Sequence, residues 1–420
     1  MSSSVLQNAW NWLTCTYPVE LVQHPTTLRL LPAKDAGERT SDAQSSESSV
    51  LTDETTLKDY LAPRCPSLFG PKAHFRSTWW LSNGHLQTAW SAYSGLEEAH
   101  PITYERELID LPDGGKVALD WTPAMPTAEN ASEPTLIVVS GLTGGSHEGY
   151  IRGLLERLTV PSKDRPELVP VCRAVVANFR GCAETRLHTP RLYSGAWTDD
   201  LRFAISHIQR LCPGAKLGAV GFSLGSNVLY LGEEGEHCPL SFAMSVSNPF
   251  DLHIGSLALE RSWLGRKIYS PAMASNLKAI YLKHYEQLSK VPNLDSERIL
   301  SVKTLRDFDI NVTRIMGGYD TVDDYYRDAS SSRWMTRVRV PLLCLNAHDD
   351  PVTDVEGAPF EEVKFNPFVI MALTGCGGHI GWFEGTLRPR RWCNKPLSEF
   401  AEAMFLVMHF CTDASAYSHC

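Results

Sequence analysis

The sequence has no apolar run long enough to cross a membrane. Its longest uninterrupted stretches, Phe368 to Leu373 and Ala403 to Met408, fall well short of the roughly 18–20 residues a spanning helix needs. It also has no basic excess. With 39 Lys and Arg against 48 Asp and Glu, the formal net charge is −9. An acidic surface repels phosphate backbones, which excludes nucleic acid as a general partner. The same acidity argues against adhesion to anionic lipid, although peripheral membrane contact stays open. The first residues, MSSSVLQNAWNWLTC, carry no basic region followed by a clean apolar one, so no signal peptide is expected. No C-x-x-C pair occurs among the 11 cysteines, and their number is odd. They are expected to be reduced thiols, mostly buried as small hydrophobes, in a soluble cytoplasmic protein.

Further absences narrow the chemistry. There is no internal repeat with a period of about 20–50 residues. Neither G-x-G-x-x-G nor G-x-x-x-x-G-K-[ST] occurs, and His147-Glu148 lacks the second histidine that H-E-x-x-H requires. No H-x-x-x-x-D acyltransferase motif is present. No cofactor and no metal are therefore expected. What is present is an ordinary globular composition, 43% apolar and 21% charged over 420 residues. That suits one domain carrying an insertion or extension.

Residues 34–58 are rich in Ser, Thr, Asp and Glu and poor in aliphatics, so they are expected to form a loop or a disordered segment. Pro123 to Pro134 is a second polar connection. From about residue 104 the pattern becomes regular. Tyr104 to Leu111 and Val117 to Trp121 alternate as a hairpin around Pro112-Asp-Gly-Gly. Continuous apolar runs follow at Thr135 to Ser140, Arg173 to Asn178, Leu217 to Gly221 and Ser241 to Val246, as buried parallel strands require. Between them lie helical stretches at Tyr150 to Leu158, Trp197 to Cys212 and Ser226 to about Glu233. Residues 251–335 read as helical, with Lys278 to Leu288 the plainest stretch. Strand character then resumes at Val340 to Asn346 and Phe368 to Leu373, before a last helix from Leu397 to Phe410. The expected architecture is α/β: a mostly parallel central sheet with helices on both faces and a helical insertion after its sixth or seventh strand. The expected divisions are an N-terminal extension, partly disordered, over 1–70; a core over 71–250; a helical cap over 251–335; the rest of the core over 336–412; and a tail over 413–420.

Gly221-Phe-Ser223-Leu-Gly225 fits G-x-S-x-G between an apolar strand and a helix. A nucleophilic serine needs its Oγ exposed on a tight strand-to-helix turn, and flanking glycines allow that turn. A base should follow the last strand on a flexible loop, and Gly377-Gly378-His379 does so. His284, His348, His409 and His419 compete less well. An acid should follow the preceding strand, which points to His348-Asp349-Asp350-Pro351. Asp350, next to Pro351, is favoured, with Asp349 as the alternative. Ser223 would then be the nucleophile, His379 the base and Asp350 its orienting carboxylate. The loop Ser140-Gly-Leu-Thr-Gly-Gly145 after the first buried strand suits an oxyanion hole, with backbone N–H groups of Leu142 and Leu224 as donors.

These motifs do not stand alone. Asn83-Gly-His-Leu-Gln-Thr88, Gly141-Leu-Thr-Gly-Gly-Ser146 with Tyr150, Asn178-Phe-Arg-Gly-Cys182, Gly221 to Asn227, Asp320 to Tyr326, Asn346 to Pro351 and Gly377 to Gly381 occur in one order over about residues 70–412. Together they resemble the YheT-like branch of the α/β-hydrolases, the AB hydrolase 4 family. The resemblance implies the α/β-hydrolase fold, and it implies Ser223, Asp350 and His379 as a triad acting on short- to medium-chain acyl esters. Ser140 departs from the histidine that the family usually places before the oxyanion glycine. The implied reaction is ester hydrolysis through an acyl-enzyme on a small-molecule ester. Acyl transfer to an alcohol and a specialised tailoring hydrolase are the alternatives, and a non-catalytic binding module is the contrasting class. Trp263, Tyr269, Tyr281, Tyr285, Tyr325 and Tyr326 are candidates either for an acyl pocket or for the core of the cap. Asn83 to Thr88 has no chemical role derivable from sequence, although His85 suits a structural hydrogen bond.

Overall fold

The computed structural model describes residues 11, 14–30, 55–71, 73–93, 100–161 and 171–407. Ten strands form one sheet: β1 (Thr16–Gln23), β2 (His74–Arg76), β3 (Glu105–Asp110), β4 (Lys116–Thr122), β5 (Thr135–Val139), β6 (Arg173–Ala177), β7 (Leu217–Phe222), β8 (Phe242–Val246), β9 (Leu342–Ala347) and β10 (Val369–Thr374). Their spatial order is β2-β1-β10-β9-β8-β7-β5-β6-β4-β3. The six strands from β10 to β6 run parallel, and antiparallel pairs flank them on both sides. Every residue of β5, β6, β8, β9 and β10 is buried. Such strands need cover on both faces, which is why they read as continuous apolar runs rather than alternating ones. Helices α2 (Gly149–Thr159), α3 (Asp199–Leu211) and α4 (Asn394–Leu406) supply part of that cover; α1 (Gly84–Tyr93) precedes them in the chain. The Phe242 ring packs edge-on against Phe400 and Phe405 of α4.

The hairpin and the parallel strands lie where their sequence patterns place them, within a residue or two. Other expectations change. Strands β1 and β2 were not anticipated. Thr16–Gln23 carries Pro18 and Glu20 and is only partly buried, so it lacks the apolar signature of its neighbours. Its identity comes from pairing, with Val19 opposite Thr374 and Gln23 opposite Ile370. Part of the expected N-terminal extension is thus built into the sheet. The helical segment consequently follows the eighth strand, not the sixth or seventh. Residues 55–58, expected to belong to a loop or disordered segment, are ordered. Thr55–Thr56 pairs with Arg29–Leu30, and a helix runs from Leu57 to Leu61, its start capped by Thr56 Oγ1, which accepts from Asp59 N at 3.1 Å. Leu57 is fully buried; one apolar side chain anchors a polar stretch there. Residues 34–54 and the 413–420 tail lie outside the described residues. The last helix ends at Leu406, and 408–410 are likewise outside. After Ser223 a single 3₁₀ turn (Ser223–Ser226) comes first, and an α-helix begins only at Leu229.

The nine described cysteines are free thiols, and seven of them are buried. None of the helices among the described residues is long and apolar enough to cross a membrane. If Leu57 belongs to the core, Leu57→Ala removes a fully buried side chain and lowers stability by about 2–5 kcal/mol. The check is the urea unfolding midpoint, which falls with little change in slope.

Candidate active site

The turn after β7 is shaped by close approach. A Cβ on Gly221 would lie 2.1 Å from the Gly225 carbonyl oxygen, and one on Gly225 would lie 2.2 Å from that of Ser140. No side chain fits at either position. The chain between them turns so sharply that Ser223 takes φ +50°, a left-handed conformation uncommon for a residue with a Cβ. Ser245 Oγ and Asn248 Nδ2 both donate to the Ser226 carbonyl, at 3.0 and 2.9 Å, and fix the far side of the turn. Ser223 is thereby presented at the C-terminal end of the sheet, on the floor of a cavity.

His379 and Asp350 reach Ser223 from the loops after β10 and β9. His379 Nε2 lies 2.8 Å from Ser223 Oγ, and His379 Nδ1 lies 2.9 Å from Asp350 Oδ2. The three side chains expected to act together therefore form one hydrogen-bonded chain. Burial alone would raise the Asp350 carboxyl. The neighbouring His379 outweighs that, together with N–H donation from Thr353 and Val352 at 3.0 and 2.8 Å, and holds it below the usual carboxylate range. Thr353 Oγ1 donates to Asp350 Oδ2 at 2.7 Å.

Asp349, the alternative acid, points elsewhere. Its Oδ1 accepts from the N–H groups of Gly377 and Gly378, both at 2.9 Å. One carboxylate orients the imidazole and its neighbour ties down the loop that carries it. Burial pushes the Asp349 carboxyl up, against the two glycine N–H donors. Among the competing histidines, His284 is buried, with Nε2 2.8 Å from the Gly181 carbonyl. His348 lies 3.4 Å from Glu20. His409 and His419 lie outside the described residues.

The Asn83–Thr88 motif, left without a role by the sequence, supports the histidine loop. Thr88 Oγ1 accepts from His379 N at 2.8 Å and donates to the Gly84 carbonyl at 2.7 Å. Gln87 is fully buried. Its Oε1 accepts from Phe383 N and its Nε2 donates to the Leu81 carbonyl. Gly84 is required by contact: a Cβ there would lie 1.9 Å from the Asp349 carbonyl oxygen. His85 faces away and meets Tyr269, Nδ1 to hydroxyl at 2.8 Å with the rings stacked.

In the loop after β5 most N–H groups are engaged. Gly141 N–H donates to the Tyr150 hydroxyl at 3.0 Å and Thr143 N–H to the Tyr193 hydroxyl at 2.7 Å. Gly144 and Ser146 N–H groups are also engaged. The N–H groups of Leu142 and Leu224 make no hydrogen bond among the described residues. Both residues line the cavity beside Ser223, and a Cβ on Gly141 would lie 3.1 Å from the Ser223 Cβ.

The cavity measures about 350 Å³. Beyond Ser223 its wall comes largely from the helical segment, with Leu259, Leu277, Ile280, Phe308, Val312 and Met316. Of the six aromatic candidates, Tyr325 and Tyr326 line it. Tyr281 is buried in the segment's own core, and Trp263 and Tyr285 are exposed. One polar group in this wall carried no sequence signal. Asp309 is buried, with Oδ1 accepting from Thr313 Oγ1 at 2.7 Å and Oδ2 from the Tyr326 hydroxyl at 2.9 Å. Burial raises its carboxyl to about 6, against those two donors and Arg306. No group of three or more potential metal ligands occurs among the described residues.

Known proteins are similar to this chain over most of its length. Monoacylglycerol lipase of Saccharomyces cerevisiae is 31% identical over 361 residues, covering 76% of this chain and 78% of its own. Phospholipase ABHD3 of Mus musculus is 35% identical over 355 residues, covering 82% and 81%. The chain belongs to the YheT-like branch of the α/β-hydrolases. Medium-chain fatty acid ethyl ester synthase/esterase 2 of S. cerevisiae, a further relative, is 28% identical over 396 residues, covering 78% and 85%. No family model matches the chain. The abhydrolase sheet has Ser223, Asp350 and His379 at the strand ends where this fold binds its ligands.

The Asp309 site has a pH signature. Its folded carboxyl titrates near 6, above the usual value of about 3.9. The folded state therefore holds the proton more tightly, and stability falls as pH rises from about 4 through 6. The full difference is about 3 kcal/mol. Asp309→Asn removes that loss, so its melting temperature relative to the native chain rises between pH 4.5 and 7. A constant difference across that range would remove the assignment.

Proposed function

We propose that this protein is a serine hydrolase that cleaves carboxylic esters of short- to medium-chain acyl groups through an acyl-enzyme. The observation that carries the reading is the unbroken chain from Asp350 through His379 to Ser223, with links of 2.9 and 2.8 Å. In the first half-reaction Ser223 Oγ attacks the acyl carbon while His379 Nε2 takes its proton. Asp350 stabilises the imidazolium and fixes which ring nitrogen is free. The free N–H groups of Leu224 and Leu142 receive the oxyanion. Collapse releases the alcohol, which takes the proton from His379. Water then enters and attacks the acyl carbon while giving a proton to His379; collapse breaks the bond to Ser223 Oγ, which takes that proton back as the acid leaves.

Substrate class is supported from two sides. The cavity wall is largely aliphatic, and about 350 Å³ is near the small end of ligand sites, which span about 300–1,000 Å³. The named relatives act as a monoacylglycerol lipase, a phospholipase and an ethyl ester synthase/esterase. We assign the helical segment over the cavity as a cap that limits acyl length. The ester synthase relative favours one second reading: an alcohol can replace water as acceptor at the same acyl-enzyme.

Ser223→Ala should lower kcat for p-nitrophenyl esters by roughly 10³-fold or more and abolish labelling by a fluorophosphonate. Full activity in that variant would end the proposal. In a chain-length series kcat/KM should peak at short to medium acyl groups, and added ethanol should divert product to ethyl ester if an alcohol is accepted. Gly84→Ala pushes on the Asp349 carbonyl and moves the histidine loop. It should lower kcat by roughly 10²-fold with KM little changed, measured on the same esters.

A further inference from the structure

The helical segment carries a surface that the hydrolytic reading does not use. Between Leu252–Arg261 and Ser270–Lys283 the chain makes one widened turn, Gly265–Tyr269, whose hydrogen bonds close on the fifth residue. Around such a turn, residues four and five positions apart come to one side. Trp263, Lys267 and Ile268 are so spaced. Trp263 is 63% exposed and Ile268 47%. Arg261, Arg266 and Lys267 are exposed too, and none of the three forms an ion pair among the described residues. The adjacent acid, Glu260, faces Arg306 at 3.7 Å instead. Three positive charges with no ion pair among the described residues thus share the stretch 261–268 with two exposed apolar side chains, in a chain whose formal net charge is −9.

The location ties this surface to the site. Tyr269, next to Ile268, bonds His85 at 2.8 Å. Leu86 beside it is 43% exposed. His85 and Leu86 lie on α1, the helix whose Gly84 and Thr88 hold Asp349 and His379. Ile268 and Leu86 therefore each adjoin, in sequence, one partner of the Tyr269–His85 contact between the helical segment and the core.

We propose that this patch docks the enzyme on an anionic membrane surface, with Trp263 and Ile268 inserted at the interface and Arg261, Arg266 and Lys267 against lipid headgroups. Exposed tryptophan interleaved with lysine and arginine suits the bilayer interface, where an indole sits at headgroup depth. The overall acidity does not prevent docking. Charges farther away than a Debye length of about 8–10 Å are screened, so the local patch sets the sign. The inference deepens the ester-hydrolase reading by naming where an apolar ester would be met, but its test does not depend on turnover.

The full chain would be sedimented with phosphatidylcholine vesicles, with and without phosphatidylserine. Binding should require phosphatidylserine and weaken as salt is raised. Arg266→Glu with Lys267→Glu should lower the partition coefficient by about tenfold or more. Trp263→Ala with Ile268→Ala should lower it as well. Both double variants should hydrolyse a soluble p-nitrophenyl ester at the native rate, which shows that they are folded. Ser223→Ala should bind vesicles like the native chain, so a failed hydrolase reading and a failed docking reading are told apart. No vesicle binding by the native chain, or equal binding by the charge-reversed variant, would overturn the proposal.

Discussion

A carboxylate held charged away from water is the constraint around which this structure is arranged. The Asp350 side chain is 1% exposed, and burial of an ionised group without partners is costly. Its partners answer that cost: two backbone N–H groups, the Thr353 hydroxyl and the His379 ring. The imidazole is in turn held in one plane, with Nδ1 toward Asp350 and Nε2 toward Ser223. Moving the loop after β9 or the loop after β10 would leave a buried charge unpaired. The hydrogen bonds that keep the fold satisfied are therefore the ones that set the geometry of the site.

A second set of contacts keeps those loops still. Helix α1 holds the histidine loop through Thr88 and Gln87, and Asp349 holds it through Gly377 and Gly378. A Cβ on Gly378 would strike the Gly84 carbonyl at 2.3 Å. The backbones thus approach to distances that only glycine allows. On the other side, the hydroxyls of Tyr150 and Tyr193 occupy the N–H groups of Gly141 and Thr143, while that of Leu142 has no partner among the described residues. Preorganisation of this kind lets donors wait at the place where charge develops.

The helical segment after β8 makes the far wall of the cavity from aliphatic side chains and leaves one buried acid, Asp309, within it. The same segment bears the exposed Trp263 and Ile268 on its outer side. One stretch of chain thus faces an apolar chamber on one side and solvent on the other. Of its aromatic residues, Tyr325 and Tyr326 line the cavity, Tyr281 lies in the segment's own core, and Trp263 and Tyr285 are exposed.

Much of this was legible in the sequence. The parallel strands announced themselves because burial on both faces demands unbroken apolar runs. Ser223, His379 and Asp350 could be singled out because each follows such a strand in a short glycine-rich or acidic turn. The pattern fixed which element each residue ends, and the order of elements fixed their shared sheet edge. What it left open depended on partners distant along the chain. Strand β1 carries Pro18 and Glu20 and is defined by its pairing with β10. Asp349 and Asp350 are chemically identical neighbours, and only the direction of each side chain assigns one to His379 and the other to Gly377 and Gly378. The Asn83–Thr88 motif had no readable purpose until folding set it beneath a loop nearly 300 residues later. Local pattern records burial and turning, which each segment determines for itself; hydrogen-bond partnership belongs to pairs of segments, and only the tertiary structure chooses them.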